Sequence, residues 1–282
     1  MSPHRDIKAV LQEAKAIGIL PIGGWNLHDA CTHLITVEPG LERWLAQAGI
    51  PGIYTQPQDA GLSHFASLVK TITYQQLSIK VGGAIFEKLL GALDCASAND
   101  LSPERVRDAA FGAKIDDNKS KQTINGVLCG LSEAKSKYLR SLATHFLDPE
   151  SLQGVDLQAL EEAELRKRLL RIDGLGPWSV HMFLLFKLQR QDVVAVGDLG
   201  IKRGIAKLHG LGPQWRSKKE SEYAERVKKW KPYSSLGMCL MWRSEEIDND
   251  VEADTEKTTT KKRKETSRAS QSTGSEKRAR RE

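Results

Sequence analysis

Two helical stretches joined by a glycine turn constrain this chain more than any other feature of its sequence. Leu165, Leu169 and Ile172 are spaced four and three apart, which puts them on one face of a helix that is predicted to end at Gly174. Gly176 completes the tight turn, and Pro177 suits the first position of a second helix that carries Val180, Phe183 and Leu184. The first amides of a helix have no partner within it. At the positive end of the helix dipole they can hold a phosphate without reading a base. A plain structural corner is the other reading of the same residues.

Further on, Asp198 follows Gly197 and precedes the apolar and basic run Leu199 to Leu208, which places it as the cap of another helix. Capping and chemistry are compatible, because amide donors and a helix dipole lower a carboxylate's pKa and keep it ionised at neutral pH. Elsewhere the apolar spacing is helical almost throughout. Phe65, Leu68 and Ile72 form one stripe, Val81, Ile85, Leu89 and Leu93 a second, and Tyr138, Leu142 and Phe146 a third. Ile7–Ile17 reads as a short leading helix. Ser102-Pro103-Glu104 and Ser132-Glu133 read as helix caps with their first turns. Sustained period-two alternation is absent, so an all-α fold without a large sheet is expected, and the polar stretch from Lys114 to Gly126 reads as a surface loop.

With these residues in place the sequence resembles the helix-hairpin-helix DNA glycosylases, and among them the 3-methyladenine type that removes alkylated bases. The resemblance rests on IDGLGPWSVHMF and VVAVGDLGIKRG, on Ser63–Leu89, on Gly130–Ala143 and on Lys229–Arg243, and it spans residues 27 to 244 approximately. It implies two helical subdomains with the active cleft between them, preceded by a lead segment, residues 1–26. It also implies Asp198 as the catalytic acid, with Gly174 and Gly176 as the hairpin that holds the DNA backbone beside the lesion. Trp178 and Trp242 match positions in or beside the base pocket, where a stack on an electron-poor alkylated purine is worth on the order of 1–3 kcal/mol; a core role is the alternative for either. Gln76 matches the position that fills the gap left by an extruded base, with Leu77 as the neighbouring wedge and capping of the next helix as the alternative for Gln76. Lys202 and Arg203 open a basic run beside the acid that is expected to track phosphates.

Strand-cleaving relatives carry a lysine nucleophile where this chain has Trp178. An indole cannot form a Schiff base, so a monofunctional enzyme is implied. Cys31, Cys95, Cys129 and Cys239 are too scattered for an iron–sulfur cluster or a zinc site, so neither metal nor organic cofactor is expected. From the family, a cation at the hairpin carbonyls is compatible with this. His64 and His181 border the motifs and read as packed or solvent-facing histidines. The expected activity is hydrolysis of the N-glycosidic bond of alkylated purines such as 3-methyladenine and 7-methylguanine, with double-stranded DNA as partner. Two alternatives remain: a non-catalytic helix-hairpin-helix DNA-binding module, and a glycosylase of the same fold acting on another damaged base.

Among 282 residues the net charge of +6 is unevenly spread. Residues 245–256 hold seven acids and no base, whereas residues 257–282 hold ten Lys and Arg against three acids; the two segments cancel and leave +6 on residues 1–244. From Glu245 onward there is too little apolar surface to offset the entropy of ordering, so residues 245–282 are expected to be a disordered tail. Its clusters Lys261-Lys262-Arg263-Lys264 and Lys277-Arg278-Ala279-Arg280-Arg281 are of the kind read by nuclear import machinery, with nonspecific DNA contact as the competing use. A monomer in the nucleus is expected. No apolar run is long enough to cross a membrane and no signal peptide is seen. Truncation after Ser244 is therefore expected to leave the melting temperature unchanged while lowering nuclear accumulation of a tagged protein; a large loss of folding would show that the tail packs on the domain.

Overall fold

A computed structural model describes residues 6–57, 61–109, 111–113, 121–125 and 127–244. The tail and both of its basic clusters lie outside these residues. Helices dominate, in keeping with the all-α expectation. In chain order they are α1 (Ile7–Ile17), α2 (Leu27–Val37), α3 (Gly40–Ala48), α4 (Gly52–Thr55), α5 (His64–Tyr74), α6 (Ile79–Ala92), α7 (Pro103–Asp108), α8 (Glu133–Leu147), α9 (Glu162–Leu169), α10 (Pro177–Met182), α11 (Leu199–Leu208), α12 (Glu220–Val227) and α13 (Ser234–Trp242).

The packing joins the two ends of the described chain. α1, α2 and α3 pack on one another, and α13 packs on α2, α3 and α11. From Ser234 to Met241 every residue of α13 is buried. A helix apolar on all sides has to be an internal one, and α13 is the axis of this group. The middle of the chain builds a second group in which α5 contacts α6 and α8, and α7 lies on α8. Phe183–Lys187, a π-helical turn that continues α10, packs against α5. One continuous apolar core runs through both groups, from Val10 and Leu34 through Phe65 and Leu139 to Ile205 and Met238.

Local chemistry explains most of the boundaries. Ser63, Ser102 and Ser132 each accept a bond from the amide three residues on, at Ala66, Arg105 and Lys135, which satisfies donors that a helix start leaves open. The second apolar stripe is buried at its C-terminal end, at Leu89 and Leu93, but not at its start. α6 buries Gly82, Phe86, Leu89 and Leu90, whereas Val81 is exposed and Ile85 only partly covered. Its first turn overhangs the protein rather than lying on it.

A small sheet replaces part of the expected loop. β1 (Phe111–Ala113), β2 (Lys121–Ile124) and β3 (Val127–Ser132) pair antiparallel in that order, with Phe111 opposite Ile124 and Thr123 opposite Leu128. Ile124 is fully buried, and one apolar residue in a four-residue strand gives no alternation to read. The signal that was present is Asn125-Gly126, the residue pair suited to a two-residue hairpin; Asn125 has φ +49° and its amide side chain donates to the Ala92 carbonyl. The remainder of the expected loop, Lys114–Ser120 and Gly126, lies outside the described residues.

Candidate active site

The carboxylate of Asp198 lies where three elements meet. Asp198 caps α11, with φ −75° and ψ 133°, and its Oδ1 accepts the Ile201 amide at 3.0 Å. The loop before it is fixed from α13: the Val193 amide donates to Ser235 Oγ at 2.9 Å, the Ser235 amide donates to the Gln191 carbonyl, and Val193 and Ala195 are fully buried. Both tryptophans reach the same acid. Trp178, the second residue of α10, donates its indole N–H to Asp198 Oδ2 at 2.8 Å, and Trp242, the last residue of α13, donates to Oδ1 at 2.8 Å.

Both tryptophans are thus hydrogen-bond donors to the acid, a contact the sequence did not indicate. Each ring is oriented by its edge on the carboxylate, and the faces remain for stacking. One face of Trp242 stacks on Phe186 with centroids 5.6 Å apart and planes 17° from parallel, and Trp178 is 47% exposed. Phe186, in the π-helical turn, was not singled out by the sequence. Gly200 lets Trp242 close on the acid, because a Cβ there would come within 2.9 Å of the indole.

Burial alone would raise the pKa of Asp198, yet the hydrogen bonds from the Trp178 indole, the Ile201 amide, the Trp242 indole and the Gly200 amide outweigh it and hold the carboxyl below its ordinary value. The site therefore presents a fixed negative charge. The pKa of His181 is lowered too, to about 4, by burial first and by the Arg166 charge second, which keeps this imidazole neutral. With His64, which packs edge-on against Phe183, it is half-buried and agrees with the packed reading.

Beside the acid lies the hairpin. α9 ends at Leu169, one turn before the expected end, and residues 170–176 form the turn itself. Gly174 has φ +84°, and a Cβ there would meet the Tyr138 ring at 2.3 Å, so both conformation and contact demand glycine. Gly176, at φ −84°, has nothing within 4 Å of its Cβ position. Glycine there keeps space open in front of the α10 amides, where a phosphate would approach. Gly174, Gly176, Trp178, Gln75 and Lys135 line a cavity of about 410 Å³ at this place.

Across that cavity, Gln76 has φ +58° and is exposed, as is Leu77. The cap of α6 is Ser78, not Gln76, which leaves the Gln76 side chain free of the capping alternative. Lys202 is only partly exposed and is held by Glu220 at 3.3 Å; Arg203, next to it on α11, is also partly exposed. All four cysteines are free and buried, and among the described residues no group of His, Cys, Asp and Glu is placed to hold a metal ion. Among the same residues no helix is long and apolar enough to cross a membrane.

A helical fold thus brings a helix-capping aspartate and two tryptophans together next to a glycine hairpin. Residues 69–232 match the HhH-GPD superfamily of base excision DNA repair proteins, and the chain belongs to that family. Over 253 residues, covering 79% of this chain and 81% of the relative, it is 28% identical to a DNA-3-methyladenine glycosylase of Saccharomyces cerevisiae. A DNA-3-methyladenine glycosidase from Bacillus halodurans superposes with a TM-score of 0.58 at 25% identity, covering 76% of this chain and 88% of that one. The Schizosaccharomyces pombe 3-methyladenine DNA glycosylase in complex with abasic DNA gives 0.56 at 25% identity, over 76% of this chain and 95% of that one.

Two predictions follow from this geometry. Gly174→Ala is expected to lower stability by about 1–3 kcal/mol through left-handed strain and the Tyr138 clash, while Gly176→Ala leaves it nearly unchanged. Chemical denaturation checks both, and equal effects would contradict the assignment. Because Asp198 titrates below its unfolded value, its contribution to stability is full above the unfolded pKa and is lost as pH falls through the folded one. The stability difference between wild type and Asp198→Leu should accordingly hold at neutral pH and shrink as pH falls below the ordinary aspartate value of about 3.9.

Proposed function

We propose that this protein is a monomeric, monofunctional DNA glycosylase that excises alkylated purines, 3-methyladenine and 7-methylguanine among them, from double-stranded DNA. The observation that carries the reading is the ionised Asp198 beneath two indole donors, beside the hairpin. A base in a duplex has its sugar bond enclosed, so the nucleotide has to be turned out, at a cost of roughly a few kcal/mol. Gln76 and Leu77, exposed across the cavity, take the vacated place in the stack. The hairpin amides hold the backbone, and the extruded base lies against the aromatic faces of Trp178 and Trp242, with Phe186 backing Trp242.

Alkylation at N3 or N7 gives a purine a positive charge, so it leaves without being protonated. What the protein supplies is a negative charge at the sugar as the oxocarbenium ion develops. A carboxylate with a lowered pKa is a weak base, so this electrostatic role precedes the acceptance of a proton from the incoming water, which becomes acidic only as it bonds to the cationic sugar. Indoles do not titrate and supply no proton. Cationic purines are accordingly favoured over neutral lesions such as hypoxanthine or ethenoadenine.

The basic clusters of the tail fit import into the nucleus. A non-catalytic DNA-binding module accounts for the hairpin but leaves two tryptophans converging on one half-buried acid without purpose.

Asp198→Asn is the direct test. Asparagine still caps α11, but its NH₂ group would face the Trp178 N–H, so a stability loss of about 1 kcal/mol is expected. Excision of 7-methylguanine should fall by about 10²–10⁴-fold while affinity for undamaged duplex persists. Wild type should leave an intact abasic strand that borohydride does not trap on the protein. Near-normal excision by the variant, or a trapped adduct in wild type, would overturn the reading.

A further inference from the structure

The loop that carries Gln76 is held by contacts that the excision chemistry does not require. The Gln75 side-chain amide donates to the Gly174 carbonyl at 2.8 Å and to Ser179 Oγ at 3.1 Å, tying the end of α5 to the hairpin and to the first turn of α10. From the opposite side, Lys135 donates through Nζ to the carbonyls of Thr73 at 2.7 Å and Gln75 at 2.8 Å. Lys135 belongs to α8, whose next turn brings Tyr138 against Gly174 and whose Ser141 Oγ accepts the Asp173 amide. Residues 135, 138 and 141 share one helix face by their spacing. One face of α8 therefore seats both the hairpin and the loop, and Gln75 joins the two. Directly after this joint Gln76 adopts φ +58°, a conformation uncommon for a residue with a side chain.

We infer that Gln75 and Lys135 are positioning residues for base extrusion: they lock the Gln76–Leu77 loop to the hairpin, so that the wedge and the grip on the backbone advance into the duplex as one rigid unit. The inference rests on the reading of Gln76 and Leu77 as the gap-filling residues. A flexible wedge would have to be ordered at the moment of extrusion, and that entropy would be added to the barrier; the clamp removes it beforehand. Neither residue contributes to bond cleavage once the base is out.

The test compares one lesion in two settings, a 7-methylguanine paired within a duplex and the same base in a single-nucleotide bulge, where extrusion is already easy. Gln75→Leu removes both side-chain donors, and Lys135→Met keeps the stem but removes both carbonyl bonds. In single-turnover assays each is expected to lower excision from the paired site by about 10- to 100-fold and from the bulge by no more than about 3-fold. Equal loss on both substrates in both variants would show a general structural effect, and unchanged rates on the paired site would show no clamp; either overturns the inference. A Gln76→Ala/Leu77→Ala variant run in parallel separates the two levels. If it keeps full activity on the paired site, the wedge reading fails and the clamp with it. If it loses activity there while Gln75→Leu and Lys135→Met do not, the clamp alone fails.

Discussion

A half-buried carboxylate that stays charged is the interaction on which the rest of the site depends. Moving Asp198 out of water disfavours its charge, and the cost is met by dipoles: two indole N–H groups and the amides at the start of α11. Each donor needs its own support. Trp242 reaches the acid because α13 runs buried through the core and ends at that point; Trp178 reaches it because Pro177 starts α10 immediately after the hairpin. The loop before Asp198 is anchored by Ser235 of the same α13. Core packing, chain topology and site electrostatics are thus one arrangement, with α13 as its common part.

The donors also decide what kind of chemistry the acid can do. A neutral dipole stabilises negative charge without neutralising it, so the field at the cleft stays negative where a cationic sugar would form. An arginine or lysine in place of either indole would have lowered the pKa further and cancelled that field. Trp178 and Trp242 donate to the acid through the ring edge, and in the proposed function the ring face is the surface for a base. At the hairpin, Gly174 is dictated by the protein's own packing, whereas the Cβ position of Gly176 is open.

Much of this was legible in the sequence because it is local. The Asp198 cap, the caps at Ser102 and Ser132, the leading helix α1 and the Gly174-to-Pro177 corner are all set by residues within one turn of each other. The bonds from Trp178 and Trp242 to Asp198 span 20 and 44 residues, and no periodicity encodes them. The place of Phe186 depends on a π-helical turn and that of Gln75 on partners at Gly174 and Ser179 about a hundred residues away, so neither carries a local signal. The stripe through Val81 holds at Leu89 and Leu93 and fails at its start, where the first turn of α6, with Ile79 and Val81, is exposed. The β2–β3 hairpin is marked in the sequence only by Asn125-Gly126, within a stretch whose polarity reads as loop.

The central claim, that both indoles hold one ionised carboxylate, can be measured directly by following the ¹⁵N and ¹H resonances of the Trp178 and Trp242 indole N–H groups through an acid titration. If the account is right, both lie downfield at neutral pH and move together on acidification, with a common midpoint below the ordinary range of an aspartate. Separate titration of the two signals, or a shared midpoint at or above that range, would contradict it.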